Sequence, residues 1–340
     1  MFNINEALSK LCKAYGMSGY EDDAAKLACE YLKEYADNAY VDHFGNVIAT
    51  IGDDLLKPHL LLDAHIDEVS YIVTYITDEG FLVIDGVGGC DCRLLLAQEV
   101  TILGKEKIKG IITSIPPHLS DGEDKAPKFS DIYVDIGMTK ENAEKIISLG
   151  DRVIIDNDAA MLLNNRITTK ALDDRAGVVA ILAALDKLKG KELPYRLSVL
   201  FSAGEETSMR GAPTATYKIS PDLAIIVDVS FALTVDDSEQ KCGKMSKGVM
   251  IGVSPTLNRA MSNRMIELAK EEKIAYQVEV MPGKTGTNAD VIGISKSGVK
   301  TVTLSIPIRY MHTPVETCDI DDIQKVSQLI ASFVLNGGVK

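Results

Sequence analysis

Two histidines and five carboxylates carry the chemistry that this sequence spaces most suggestively: His65, Asp67, Asp173, Glu205, Glu206, Asp228 and His312. Each stands where an apolar, strand-like run ends or where a helix opens. The run Leu60-Leu61-Leu62 leads into His65-Ile66-Asp67, a run over 195–202 leads into Gly204-Glu205-Glu206, and one over 223–227 leads into Asp228. A run over 299–305 precedes His312, and Leu172-Asp173-Asp174-Arg175 opens a helix. In open α/β sheets the site lies beyond the carboxyl ends of the strands, so these residues are expected to converge. Two imidazoles with Asp173, Glu206 and Asp228 suit zinc or cobalt; calcium and magnesium prefer all-oxygen sites. Two divalent ions balance three carboxylates and one hydroxide, whereas a single ion leaves negative charge in excess, which favours a binuclear site. Asp67 lies two residues past His65, on the same side of an extended chain, and can accept the ring N–H. Glu205 and Glu206 point different ways, so one can bind metal while the other takes a proton from the attacking water and passes it to the leaving amine.

Those residues need a scaffold. Before residue 68 the pattern reads as two helices, Ile4 to about Tyr15 and a second one introduced by a capping-box spacing at Ser18 and Glu21, then short strands at 39–42 and 46–51. From 69 to 165 short alternating runs punctuated by glycine predict a small β-rich module with one helix near 141–149. Beyond residue 170 helices at 174–188, about 209–218, 257–273, about 288–297 and 319–335 alternate with strands at 195–202, 223–228, 276–281 and 299–305. That alternation predicts an α/β fold, a mostly parallel or mixed sheet covered by helices on both faces, built from 1–68 plus 166–340, with 69–165 inserted. The polar stretch Asp121–Lys128 is expected to be a mobile loop.

Composition narrows the function classes. The 340 residues carry a net charge of −13, which disfavours nucleic acid and anionic membranes as partners. No apolar run is long enough for a signal peptide or a span, so a cytoplasmic location is expected. Six cysteines, at 12, 29, 90, 92, 242 and 318, are too sparse for a disulfide framework and are read as reduced. The remaining histidines, His43, His59 and His118, are read as structural.

Taken in order, His65-Ile66-Asp67-Glu68, Lys170 to Gly177, Gly204-Glu205-Glu206 with Arg210-Gly211-Ala212, Asp228-Val229-Ser230, and Arg309 to Glu316 resemble the motifs of the binuclear metallo-aminopeptidases of the tetrahedral type, glutamyl and deblocking aminopeptidases among them. The likeness starts at Tyr15 to Glu21, takes in Gly45-Asn46 and Gly88-Gly89, and runs nearly end to end. It implies a zinc-peptidase-like fold with a PDZ-like dimerisation insert. One metal would be bound by His65 and Asp228 and a second by Glu206 and His312, with Asp173 bridging; Glu205 would be the catalytic base and Asp67 the partner of His65. The ions would be Zn2+ or Co2+, with Mn2+ a third choice. The implied activity is release of N-terminal residues from short peptides by a metal-activated water, in a homo-oligomer for which the family's form is a tetrahedral dodecamer. A cis peptide is implied at Asp173–Asp174. The chain departs from the family at Gly286-Thr287-Asn288-Ala289-Asp290, where the family has Gly-Thr-Asp-Ala. Two rival readings are a paired-carboxylate glycosidase, since some relatives carry an endoglucanase label, and a non-catalytic assembly protein. Neighbouring glutamates cannot readily flank a glycosidic bond, which counts against the first; a full set of ligand types counts against the second.

Overall fold

Every residue of the strand His59–His65 is buried, which is what its sequence, HLLLDAH, demands of a strand covered on both faces. In the computed structural model, which describes residues 2–114, 118, 127–235, 237–238 and 241–336, this strand lies between Arg196–Ser202 and Leu223–Phe231, parallel to both. Lys300–Arg309 adds a fourth parallel strand beside Leu223–Phe231. Antiparallel strands extend the sheet outward: Val47–Ile51 and Tyr40–Val41 on one side, Glu316–Asp319, Arg166–Thr169 and Ala160–Leu162 on the other. Val249–Val253 pairs antiparallel with Lys300–Arg309 and parallel with Tyr276–Val280. The sheet is thus mixed, with a parallel centre.

Alternation along the central strands sends side chains into two cores. Leu60, Leu62, Ile225 and Val227 join the apolar cluster that includes the helices Ile4–Lys13, Leu172–Leu188 and Ile320–Asn336. Leu61, Ala224 and Ile226 face the other way, into a smaller cluster with Ala212, Ala215, Ala289 and Ile292. Leu172–Leu188 is apolar nearly all round and buried along almost its whole length, as a central core helix must be.

Contacts divide the chain into two units: Met1–Asp67 with Asp158–Met311 and Val315–Lys340, and Glu68–Asn157 with His312–Pro314. In the second unit Ser70–Ile76, Leu82–Val87, Tyr133–Asp135, Lys107–Ile112, Glu99–Leu103 and Arg152–Ile155 close, in that order, into a small barrel. Val73, Leu82, Ile84, Val100, Ile102, Ile112, Val134 and Val153 fill it. Where the resemblance implied a PDZ-like module, the structure describes this closed barrel and, among the described residues, the α-helix Lys140–Ile146. The insert gives way earlier than residue 165, because Ala160–Leu162 and Arg166–Thr169 pair into the large sheet.

Several local expectations are corrected. Ser18 and Glu21 form no capping box on Asp22–Leu32. Glu21 accepts the Gly19 amide instead, and the Ser18 hydroxyl meets that of Thr207. The strand read as 223–228 continues to Phe231, held by pairing with Ser305–Ile308, so Asp228 lies within it rather than after it. The helix read as 288–297 is the single turn Ala289–Ile292, closed by Gly293. The loop Asp121–Lys128 lies, through residue 126, outside the described residues. No helix among the described residues is long and apolar enough to cross a membrane.

Candidate metal centre

The centre is assembled at the ends and turns of the first unit's parallel strands. His65 closes its strand, fully buried. Its Nδ1 lies 3.1 Å from the Asp67 carbonyl, which can only accept, so Nδ1 carries the proton and Nε2 is left as the ligand nitrogen. Nε2 sits 2.9 Å from Asp173 Oδ1. Burial alone would depress the His65 pKa, but the Asp173 and Asp67 carboxylates outweigh it and draw the ring well above its ordinary value.

Asp67 was expected to take the His65 ring N–H on its carboxylate. Its backbone carbonyl makes the shorter contact, with the carboxylate 3.5 Å away. The two carboxylate oxygens accept the amides of Glu205, at 2.9 Å, and Glu206, at 3.1 Å. These are unpaired first-turn amides of the short helix Glu205–Ser208, so Asp67 satisfies both. Burial works against ionisation of Asp67, and the His65 ring and the two amides overcome it, holding the acid below its usual range. The turn into that helix needs Gly204, whose φ of 68° is left-handed.

Asp173 follows Ala171, whose φ of 58° is rare for a residue with a Cβ. The Asp173 amide is held at 3.0 Å by Glu316 Oε2. The Asp173–Asp174 peptide is cis, as the resemblance implied. Asp174 accepts the His65 amide at 3.2 Å and the Gly177 amide at 3.0 Å. Asp228 accepts its neighbour Val229's amide at 2.7 Å. Burial raises the pKa of both Asp174 and Asp228; Asp228 pushes Asp174 further, and Asp173 and Glu205 do the same to Asp228. His65, Asp173 and Asp228 each offer a ligand atom within 4.8 Å of the others, all three buried. One imidazole nitrogen and two crowded carboxylates with little else to offset them are a donor set that a divalent cation fits. Glu205, half-buried, directs its charge at His65 and Asp228.

His312 falls with the second unit. Its Nδ1 is 3.0 Å from the Gly89 carbonyl, which can only accept, so Nδ1 carries the proton. A Cβ on residue 89 would stand 2.7 Å from that ring, so glycine is required there. Among the other histidines, His59 is buried with Nε2 2.8 Å from Ser198 Oγ, and His43 packs on Phe44.

Three supporting groups carried no assigned role in the sequence reading. Arg175, fully buried, donates Nε to the Ile66 carbonyl at 2.7 Å and Nη1 to the Leu11 carbonyl at 2.6 Å, so it ties the link between His65 and Asp67 to the first helix. An arginine at the head of the apolar run 176–185 was the available signal. Glu316 is the second. The third is Asn288, whose Nδ2 donates to Asp63 Oδ2 at 3.0 Å and Ser202 Oγ at 2.7 Å. Burial lifts the Asp63 pKa to about 7. Where the resemblance leads to a carboxylate, Asn288 presents its amide to Asp63, while Asp290 accepts the amides of Thr285 and Gly286 in its own loop.

A parallel-centred sheet with a buried His–Asp–Asp cluster and a carboxylate-held Glu-Glu turn is the arrangement of a metallopeptidase. Residues 45–329 match the M42 glutamyl aminopeptidase family, and the chain belongs to it. It is accordingly an aminopeptidase, a peptide-bond hydrolase. It is 33% identical over 336 residues to the lysyl aminopeptidase of Pyrococcus furiosus, covering 97% of this chain and 96% of that one. Among solved structures it resembles an aminopeptidase of the archaeon Desulfurococcus kamchatkensis, with a TM-score of 0.92 and 32% identity over 98% of this chain and 95% of the other. It also resembles the TET1 peptidase of Pyrococcus horikoshii, which assembles into a tetrahedron or a large octahedral shell (TM-score 0.86, 31% identity, coverage 98% and 99%).

Proposed function

We propose that the chain releases N-terminal residues from short peptides using two divalent ions, zinc or cobalt, and that Glu205 is its general base. The observation that carries this reading is the buried His65–Asp173–Asp228 cluster beside a turn on which Asp67 fixes Glu205 and Glu206. By the resemblance, His65 and Asp228 would hold one ion and Glu206 and His312 the other, with Asp173 as the bridging ligand. When bound, such ions polarise the scissile carbonyl and make water a stronger nucleophile. The protein's own part is orientation and proton movement. Asp67 holds the first turn so that Glu205 faces the cluster, and the Glu205 carboxylate takes the proton of the attacking water at Oε and returns it to the leaving amine. The Asp67 and Gly89 carbonyls hold Nδ1 of His65 and of His312, so Nε2 is the nitrogen each ring would offer a metal.

The adjacency of Glu205 and Glu206 in one short helix argues against a glycosidase, which needs its carboxyl groups on opposite sides of the bond. Self-association is supported by the assembly of the Pyrococcus horikoshii relative and by large apolar side chains exposed in this chain, among them Leu56, Leu163 and Ile294; the tetrahedral dodecamer is the form we infer, with the small barrel as its dimerisation module. Six free cysteines fit a reducing cytoplasm. The test is Glu205→Gln. It is expected to keep its metal, measured by elemental analysis of the dialysed protein, and to lose turnover of aminoacyl-anilides by about 10²–10⁴-fold. Full activity in this variant, or in wild-type protein after exhaustive chelation, would overturn the reading.

A further inference from the structure

The family's name and the Pyrococcus furiosus relative's name specify N-terminal residues of opposite charge, so membership leaves the preference open. We infer that this enzyme takes basic N-terminal residues, lysine or arginine, and that Glu279 is the carboxylate that receives their charge. The inference rests on the aminopeptidase reading above.

The sheet register places Glu279 close to the proposed centre and on its side of the sheet. In the parallel pairing of Leu223–Phe231 with Lys300–Arg309, Asp228 stands opposite Ser305, and Ser230 lies two residues further on. The side chains of 228, 230 and 305 therefore share a face. It is also the face of His65, because Ile226 is paired with Asp63 and each lies two residues before Asp228 or His65. Glu279, on the outer strand Tyr276–Val280, reaches this face: its carboxylate accepts the Ser305 hydroxyl at 2.7 Å and the Ser230 hydroxyl.

Both partners are neutral. Among the described residues no lysine, arginine or histidine pairs with Glu279. Burial pushes its acid above the usual range, and the two hydroxyls pull it partly back. A largely buried carboxylate without a cation is costly, and the cost is relieved when a cation arrives. The residue keeps partial exposure, so a ligand can reach it. Its distance suits a side chain. Two residues of strand advance about 6.6 Å from Asp228 to Ser230, which matches a four-carbon lysine stem whose backbone is held at the centre. An acidic N-terminal residue would be repelled by the same carboxylate. Of the cations flanking the motifs, Arg309 donates its Nε to the Leu233 carbonyl at 3.0 Å.

Glu279 could instead serve only to stitch its strand to Ser230 and Ser305, and the experiment must separate the two roles. The kcat/KM of the Co2+-loaded and Zn2+-loaded full-length protein is measured on the p-nitroanilides of lysine, arginine, leucine and glutamate, for wild type and Glu279→Gln. Gln keeps an acceptor for the serine hydroxyls and removes the charge. Wild type is expected to prefer lysine and arginine to leucine by about tenfold or more, and the substitution to lower the lysine-to-leucine ratio by a similar factor, chiefly through KM. A strand-stitching role would lower both rates together and leave the ratio unmoved, which overturns the inference. So does a wild-type enzyme that favours leucine or glutamate, whatever the variant does. If Glu279→Gln fails to fold, competitive inhibition of wild type decides: lysinamide must inhibit more tightly than norleucinamide, and the reverse order refutes the role. Absence of turnover on all four anilides overturns the aminopeptidase reading itself, an outcome distinct from turnover without basic preference.

Discussion

Asp67 shows how much one side chain can hold. Its carbonyl fixes the His65 tautomer while its two carboxylate oxygens receive the amides of Glu205 and Glu206, so a proposed ligand histidine, a proposed ligand glutamate and the proposed base are all oriented by one residue. Asn at this position can accept only one of the two amides and sets an NH2 against the other. Asp67→Asn is expected to weaken metal binding by about 10–100-fold, the usual cost of losing a group that orients ligands, and to lower activity with it. Titration against a chromophoric chelator measures the affinity, and an unchanged dissociation constant would refute the role. The candidate ligand types were legible in the sequence because most of them stand at or near a strand end or helix start, although Asp228 lies inside its strand. The residues that brace them were not. Arg175 and Glu316 act on backbone groups of Ile66, Leu11 and Asp173, far away in sequence, and backbone acceptors leave no trace in a side-chain pattern. Asn288 reads in the sequence as a missing carboxylate, and only the fold brings Asp63, 225 residues away, to its amide.

At the scale of elements, periodicity was a good guide to long segments and a poor one to short ones. Leu172–Leu188 and Ile320–Asn336 follow from their apolar spacing, and the central strands from their continuous apolar runs. Val249–Val253 had no counterpart in the sequence reading, since a five-residue apolar run containing Gly252 gives no helical or alternating signal. The structure fixes that strand through the loop before it. Asp322, in the first turn of Ile320–Asn336, accepts the amides of Ser246 and Gly248, each at 2.7 Å. Burial raises the Asp322 pKa to about 6, against the pull of those two amides. A carboxyl whose folded pKa lies above its unfolded value of 3.8 contributes stability that is full below pH 4 and lost as the pH climbs through about 6. The unfolding free energy of wild type relative to Asp322→Asn is therefore expected to fall between pH 4 and pH 7, by up to about 3 kcal/mol for a shift of roughly two pH units. Urea melts of both proteins across that range would show it. A difference that is constant with pH, or that rises, would contradict the sign.

For the whole molecule, the net charge of −13 acquires a partial explanation. Some of it is concentrated in one buried cluster, where Asp173, Asp174 and Asp228 crowd a single imidazole and two of the acids are pushed well above their normal range. A fold that buries such a cluster without a cation carries an electrostatic cost, so divalent ions should stabilise the native chain and not merely activate it. The donors also come from widely separated parts of the sequence, residues 65, 173 and 228. An unfolded chain cannot present them together, and binding is linked to folding across the large sheet. At free metal a hundredfold above its dissociation constant, one ion adds about 2.7 kcal/mol. With the usual unfolding entropy per residue, that raises the melting temperature of a 340-residue chain by about 4 °C per ion. Calorimetric scans in Zn2+ or Co2+ and after chelation should differ by at least this much. Glu205→Gln should show the same shift, because Glu205 is assigned to proton transfer and not to binding the metal. A melting temperature indifferent to metal would remove the His65–Asp173–Asp228 cluster as a metal site. A shift seen in wild type but lost in Glu205→Gln would instead make Glu205 a ligand and return the role of base to its neighbour Glu206.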